Sequence, residues 1–407
     1  MPPRARLLLL ALGMFALGTD GYVIAGLLPA IATDLGVSVS AAGQLVIVFS
    51  LSYAIGAPVL GVATAGLPRR PVLVASLAVF ALANFAAAAV GSYAGLLLLR
   101  VLAALAAGTF APAAAAAAAS LASPERRGRA LALVGGGITV ANAVGVPIGL
   151  IIGGTLGWRA TFLTVAVIGA VAAIGLTVLL PAIHAPRPPG LRDRLAVVRL
   201  RGMPRGMLLS GLWIAGAFAL LTYISPVLDA VGRVHGSALS IWLFVFGLAA
   251  TAGNSLGGRA ADRHPARWLT AISTGGLMCV LAGFGLLATL HVPAVTGAVA
   301  AAVLLGAWGV FGWSFAPIQQ NCLIAIRPER AGIILSLNTS AVYLGMSLGG
   351  LIGSAALSSS GPAAVGWTAA AIESLALLAA LTGARSRQTA DAHLTQDAPL
   401  AERLKEG

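Results

Sequence analysis

Charge is what this sequence has least of. Asp, Glu, Lys and Arg together make up 9% of its 407 residues, where a soluble domain carries roughly 25%. Cysteine is nearly absent: Cys279 and Cys322 are the two present, with no CxxC spacing, so neither a disulfide framework nor a metal-binding cluster is indicated. Acids are scarce too, with 12 Asp and Glu against 25 Lys and Arg. No His cluster, Ser/Lys pair or His/acid site falls at one depth of the chain, which argues against an enzyme. No resident cofactor or metal is expected.

What is present is apolar. Hydrophobic residues make up 59% of the chain, and the mean hydropathy is +0.96. Runs of about 20 apolar residues recur along nearly the whole length, each long enough to cross the hydrocarbon core as a helix. They lack the period-two alternation of a membrane β-barrel. The first run follows "MPPRAR" but continues past the length of a signal-peptide core without a clear cleavage site, so it reads as a retained span.

Apolar runs bounded by charged or turn residues predict twelve spans, at about 7–32, 42–65, 71–90, 94–119, 131–155, 160–181, 206–230, 238–260, 267–290, 293–325, 331–356 and 363–384. Both termini then share one side. Of the 25 Lys and Arg residues, only Arg159 and Arg233 fall on the opposite side, and only Arg100 within a span. That asymmetry places the termini in the cytoplasm of a multi-pass cell (inner) membrane protein. It also explains the net charge of +13 without nucleic acid as a partner.

The halves echo each other. "FAP" at 110–112 recurs at 315–317, "PER" at 124–126 recurs at 328–330, and Pro29 and Gly61 match Pro226 and Gly258. Near-constant offsets indicate a duplication. The expected organisation is an N-terminal six-helix bundle (1–181), a basic, Pro-rich cytoplasmic linker (182–205), a C-terminal six-helix bundle (206–385) and a cytoplasmic tail (386–407).

A charge at the bilayer centre costs about 2.5–3.5 kcal/mol even on permissive scales, so each embedded ionisable group needs a reason. There are three: Asp20, Arg100 and Glu373. Asp20 lies near the middle of the first span, and its repeat counterpart, residue 217, is alanine. Arg100 lies about 8 Å nearer the external face at 1.5 Å per residue, within reach of a long side chain. The pair suits proton coupling, with protonation of Asp20 freeing Arg100; alternatively the Asp20 charge binds substrate. In the fifth span, Gly145, Gly149 and Gly153 share one helix face, with Gly137 eight residues before them and Pro147 as an expected kink.

Three stretches carry a family resemblance. They are "GTDGYVIAGLLPAIATDLGVSVSAAGQL" in the first span, "GGGITVANAVGVPIGLIIGG" in the fifth, and "GWRATF" at 157–162. The loop "GRAADRHPAR", with Gly258, Asp262, Arg263 and Arg267, fits the GxxxDRxxxR pattern that latches cytoplasmic helix ends. Together they resemble the twelve-helix drug:proton antiporter branch of the major facilitator superfamily, in its chloramphenicol- and arabinose-exporter-like group. The resemblance covers about residues 7–385.

It implies an all-α integral membrane fold of twelve transmembrane helices in two pseudo-symmetric six-helix bundles. It also implies a monomeric, proton-gradient-driven efflux transporter of small organic compounds, with an antibiotic of the chloramphenicol type as the favoured substrate. Sugar (arabinose-type) and purine exporters share these motifs, and a metabolite importer is a further alternative that the GVPxG stretch argues against. Gly137, Gly145, Pro147, Gly149 and Gly153 then seal or gate the bundle interface. The first-half latch departs from the pattern, reading "GVATAGLPRR" with Ala65 and Gly66 where the acid and base belong.

Substrate contacts are expected from Tyr22 and Ile24 near Asp20, Asn142 in span five, and Trp213 and Tyr223 in span seven. Trp313, Gln319, Gln320 and Asn321 in span ten, with Asn338 and Tyr343 in span eleven, complete the set.

Overall fold

A computed structural model describes residues 3–64, 66–123, 126–181, 191–234, 237–290 and 292–403. Ala65, the first "PE" pair and residues 182–190 of the expected linker lie outside them. Among the described residues there are helices and no strand. The first half contains α1 (Pro3–Leu35), α2 (Val39–Ala63), α3 (Arg69–Ala89), α4 (Tyr93–Leu121), α5 (Arg127–Val140), α6 (Val146–Leu156) and α7 (Trp158–Leu179). After a short α8 (Leu191–Val198) come α9 (Met203–Leu221), α10 (Ile224–Gly232), α11 (Ser237–Ala261), α12 (Ala266–Leu290), α13 (Ala294–Ile324) and α14 (Ala331–Arg403).

Eleven of these stretches are long and apolar enough to cross a membrane. The last holds two expected spans, because Gly361 breaks α14 with a backbone of φ 77 and ψ −170 that a side chain would resist. Twelve crossings therefore stand. Turns are tight: Ser38 caps α2 by accepting from Ala41 N–H at 3.0 Å, and Ser92 caps α4 by accepting from Gly95 N–H at 3.2 Å. Large apolar side chains such as Leu82, Val178 and Val295 stay exposed at 68%, 73% and 78%. In water that would be costly; against lipid tails it is the expected outer surface.

Three local departures have physical causes. The fifth span is not one α-helix: a π turn occupies Ala141–Gly145, with Val146 N–H bonded to Ala141 O. Pro147 has no N–H to continue the ladder behind it, so one extra residue is absorbed there. The seventh span breaks at Thr222–Tyr223, where Pro226 can neither donate to the Thr222 carbonyl nor tolerate it at helical distance. Finally, the expected linker contains α8, whose Val197 is buried in a small cluster with Met203, Leu323 and Ile334.

In the first half, α1 packs on α5 and α7, α2 on α4, and α3 on α4 and α7. In the second, α9 packs on α14, α11 on α13, and α12 on α13 and α14. The halves meet where α2 runs along α14, and where α11 crosses α6 and the π turn. At the end of the bundle away from the arginine-rich loops, the hydroxyls of Ser40 on α2 and Ser354 on α14 lie 2.6 Å apart, and Tyr223, whose O–H donates to Gly350 O of its own half at 3.2 Å, lies against Gly43 of α2. That end is closed by direct contact between the halves.

Candidate functional site

Asp20 on α1 and Arg100 on α4 form an ion pair, Nη1 to Oδ2 at 2.7 Å, with both side chains 1% exposed. The arginine spans the whole difference in depth that the sequence suggests, with no intervening group. Its guanidinium carbon lies 4.1 Å from the centre of the Phe49 ring. Asp20 Oδ1 and Arg100 Nε and Nη2 have no hydrogen-bond partner among the described residues. The pair is sealed within the first bundle, held by one charged bond and one ring face.

The glycine face of span five packs on the helix that carries Asp20. A Cβ on Gly137 would run into the Ala11 carbonyl, on Gly145 into Thr19 Oγ1, on Gly149 to 2.8 Å of Val23 Cγ2, and on Gly153 to 2.5 Å of Leu27 Cδ2. In an unbroken α-helix Gly137 would sit about 80° away from Gly145. The extra residue of the π turn cuts that to about 20°, so all four glycines meet α1. Because Val146 N–H is taken and Pro147 has none, the Asn142 carbonyl has no helical donor. It abuts Gly247 of α11, where a Cβ would collide with it.

Between the halves lies a cavity of about 300 Å³. Its wall residues run from 135 to 142, 210 to 214, 250 to 254, 313 to 320 and 338 to 343, plus Tyr22. Each stretch belongs to the part of its helix nearer the arginine-rich end, so the cavity lies toward that end. A narrow extension beside Tyr22, Asn142, Phe246, Gly247 and Trp313 reaches toward the closed end.

Eight of the eleven expected substrate contacts line this cavity: Tyr22, Asn142, Trp213, Trp313, Gln319, Gln320, Asn338 and Tyr343. Three do not. Ile24 is fully buried in the apolar core, one turn beyond Asp20 on the same face. Tyr223 sits in the break after α9, where it seals the closed end against Gly43 and Gly350. Asn321 is exposed, two residues and so about 200° around the helix from Gln319.

Gln319 is itself tied, donating from Nε2 to Gly206 O at 2.8 Å. Ser210, Thr139 and Thr251 line the cavity and were not singled out by sequence. Ser210 lies one turn before Trp213, the signal that would have found it. Tyr343 stacks on Tyr53 across the halves, ring centres 3.7 Å apart.

The motif residues fall at the two ends. Asp262, Arg263 and Arg267 are exposed in the α11–α12 turn, Gly258 is half-buried on α11, and Asp262 forms no ion pair among the described residues. At the closed end, Trp158 Nε1 and Arg159 Nη1 donate to Asp34 Oδ2 at 3.3 and 2.5 Å, and Arg159 Nη2 donates to Val90 O at 3.2 Å. "GWRATF" thus ties α7 to the ends of α1 and α3. Glu373 lies in the second bundle away from the cavity, fully buried beside Gly216, with both oxygens unpartnered among the described residues.

A family model described as the Major Facilitator Superfamily matches residues 10–350. The chain belongs to the major facilitator superfamily. It is similar to an uncharacterized MFS-type transporter, YbcL, of Bacillus subtilis, 32% identical over 92% of this chain and 95% of that one. It is also similar to a chloramphenicol resistance protein of Streptomyces lividans, 38% identical over 65% of this chain and 68% of that one. Among solved structures, a bacterial homolog of the human lysosomal transporter Spinster, described as inward-facing and occupied, matches with a TM-score of 0.76 at 18% identity. That match covers 95% of this chain and 97% of the other. This major facilitator superfamily member is therefore a multi-pass membrane transporter with the fold that the sequence predicts, and not an enzyme.

Proposed function

We propose that this transporter is a proton-coupled exporter of small organic compounds, of which a chloramphenicol-type antibiotic is the favoured substrate, with Asp20 and Arg100 as the coupling pair. The observation that carries this reading is the ion pair itself: a carboxylate and a guanidinium sharing one bond, fully buried, beside the cavity between the halves. A proton arriving at Asp20 breaks the one charged contact that holds Arg100 among the described residues. The two bundles then differ in energy between conformations according to that proton, which is what coupling requires.

The cavity geometry supports proton carriage over direct substrate binding by Asp20. Its side chain is sealed, and it is not part of the cavity wall. With the termini cytoplasmic, as the arginine asymmetry indicates, the cavity faces the cytoplasm and the sealed end faces outward. We keep the expected division at 1–181, 182–205, 206–385 and 386–407; the packing of α1–α7 on one another and of α9–α14 on one another supports its two bundles.

The relative from Streptomyces supports the antibiotic among the alternatives. The test is gradient-driven export of a compound panel, chloramphenicol included, from everted vesicles carrying the wild type or Asp20→Asn. The variant should lose uphill export and keep substrate counterflow. Uphill export by Asp20→Asn at the wild-type rate would overturn the coupling role.

A further inference from the structure

Resting on the export reading, we infer that the cavity selects uncharged solutes that carry a flat ring and hydrogen-bonding groups, and that Ser210, Trp213 and Asn338 set that selectivity. Three observations lead there. The first is an absence: among the described residues no Asp, Glu, Lys, Arg or His lines the cavity or its extension. The nearby carboxylate is that of Asp20, which is sealed and neutralised by Arg100 at 2.7 Å.

A cation entering this space loses hydration and meets no counter-charge, which costs more than an aromatic face returns. An anion fares no better, because the guanidinium is equally sealed.

The second observation is the aromatic array on the second-bundle side. Trp213 stacks on Phe315 with ring centres 4.6 Å apart and stands edge-on to Trp313 at 6.4 Å. Phe246 meets Trp313 edge-on at 5.4 Å. Rings so arranged offer faces and edges to a planar guest, and a volume of about 300 Å³ admits one small drug-sized molecule.

Third, three wall residues each keep a buried polar atom without a partner among the described residues: Ser210 Oγ, Trp213 Nε1 and Asn338 Oδ1. The residues are 1%, 5% and 7% exposed. Buried polar groups are nearly always paired, so three unpaired ones just behind one cavity's wall are the groups that a guest satisfies once each side chain turns toward it. Trp213 donates, Asn338 Oδ1 accepts, and the Ser210 hydroxyl does either. The complementary solute carries an acceptor such as a carbonyl or nitro oxygen and a donor such as a hydroxyl or amide N–H.

The test uses matched pairs of aryl solutes that differ by one protonated amine, including chloramphenicol and its deacylated primary amine, with equilibrium binding to the full chain in lipid nanodiscs. The uncharged member should bind at least about tenfold tighter in each pair. Trp213→Phe and Ser210→Ala should each weaken it roughly fivefold, the loss of one hydrogen bond.

Asn338→Asp, an isosteric change that adds a charge, should reverse the preference in favour of the amine. Gln320→Glu, at an exposed wall position, should move it in the same direction and covers a failure of Asn338→Asp to fold. Equal or tighter binding of the cations by the wild type, no response to either acid, or no binding by any pair would overturn the inference. These outcomes separate from those of the coupling test. Uphill export of a cation that Asp20→Asn abolishes would leave coupling standing and this selectivity refuted; the charge rule with unimpaired uphill export by Asp20→Asn would do the reverse.

Discussion

Replacing Asp20 with Asn keeps the side-chain shape and removes the charge, leaving Arg100 as a guanidinium 1% exposed with no counter-ion. Breaking a buried pair by removing one partner costs about 3–5 kcal/mol. The Phe49 ring, 4.1 Å from the guanidinium carbon, offsets about 2 kcal/mol of this. The net expectation is a loss of about 1–3 kcal/mol, or a rise in the unfolded-to-folded ratio of roughly 5- to 150-fold.

Arg100→Gln, which strands the carboxylate instead, should cost at least as much, because Asp20 has no ring to lean on. The double variant removes both charges and leaves two amides able to bond each other, so it should cost far less than the sum of the singles. Equilibrium unfolding of the three variants and the wild type in mixed micelles closes a double-mutant cycle, and the coupling energy should be at least about 2 kcal/mol. Additivity of the singles to within about 0.5 kcal/mol would refute the pair as the determinant of Arg100's position, and the coupling mechanism with it.

Four further outcomes follow from the same geometry. Cysteines replacing Ser40 and Ser354, whose hydroxyl oxygens are 2.6 Å apart, should form a disulfide that holds that end closed and stops transport until reductant is added; full activity of the oxidised form would contradict the closure described. Gly247→Val puts two methyl groups into the Asn142 carbonyl and should raise labelling of a cysteine placed at Ser40, at the closed end, by membrane-impermeant maleimide. Gly149→Leu should destabilise the α1–α6 contact, where a Cβ alone comes to 2.8 Å of Val23, by about 1–3 kcal/mol in the same unfolding assay. Gly216→Ala would bring a methyl group to 2.7 Å of Glu373 Oε2 and should lower stability, while Glu373→Gln, which keeps the volume and cannot ionise, should be tolerated.

Much of this could be read before any coordinates. The rarity of charge makes each embedded ionisable residue conspicuous, and Asp20 and Arg100 were found on that ground alone. Individual wall residues were harder. Tyr22 lines the cavity while Ile24 is core, and Gln319 lines it while Asn321 does not. A helix that is apolar all round has no amphipathic signature to reveal which face meets the other bundle. Tyr223, a binding aromatic by type, seals the closed end because α9 breaks beneath it. Pro226 permits that break, yet Pro29, its repeat counterpart, sits inside an unbroken α1. Proline supplied the weakness, and packing of Tyr223 against Gly43 and Gly350 decided to use it.

Span number, the orientation expected from arginine asymmetry and the internal duplication are read from properties summed along the chain, where lipid thickness and charge leave few choices. The register of the glycine face came from elsewhere. Gly137 joins Gly145, Gly149 and Gly153 against α1 only through the π turn that Pro147 induces. The cavity, its three unpartnered polar atoms and the Tyr53–Tyr343 stack exist only because helices far apart in sequence meet in one phase. Contacts between bundles depend on rotation about each helix axis, and hydropathy carries no record of that angle.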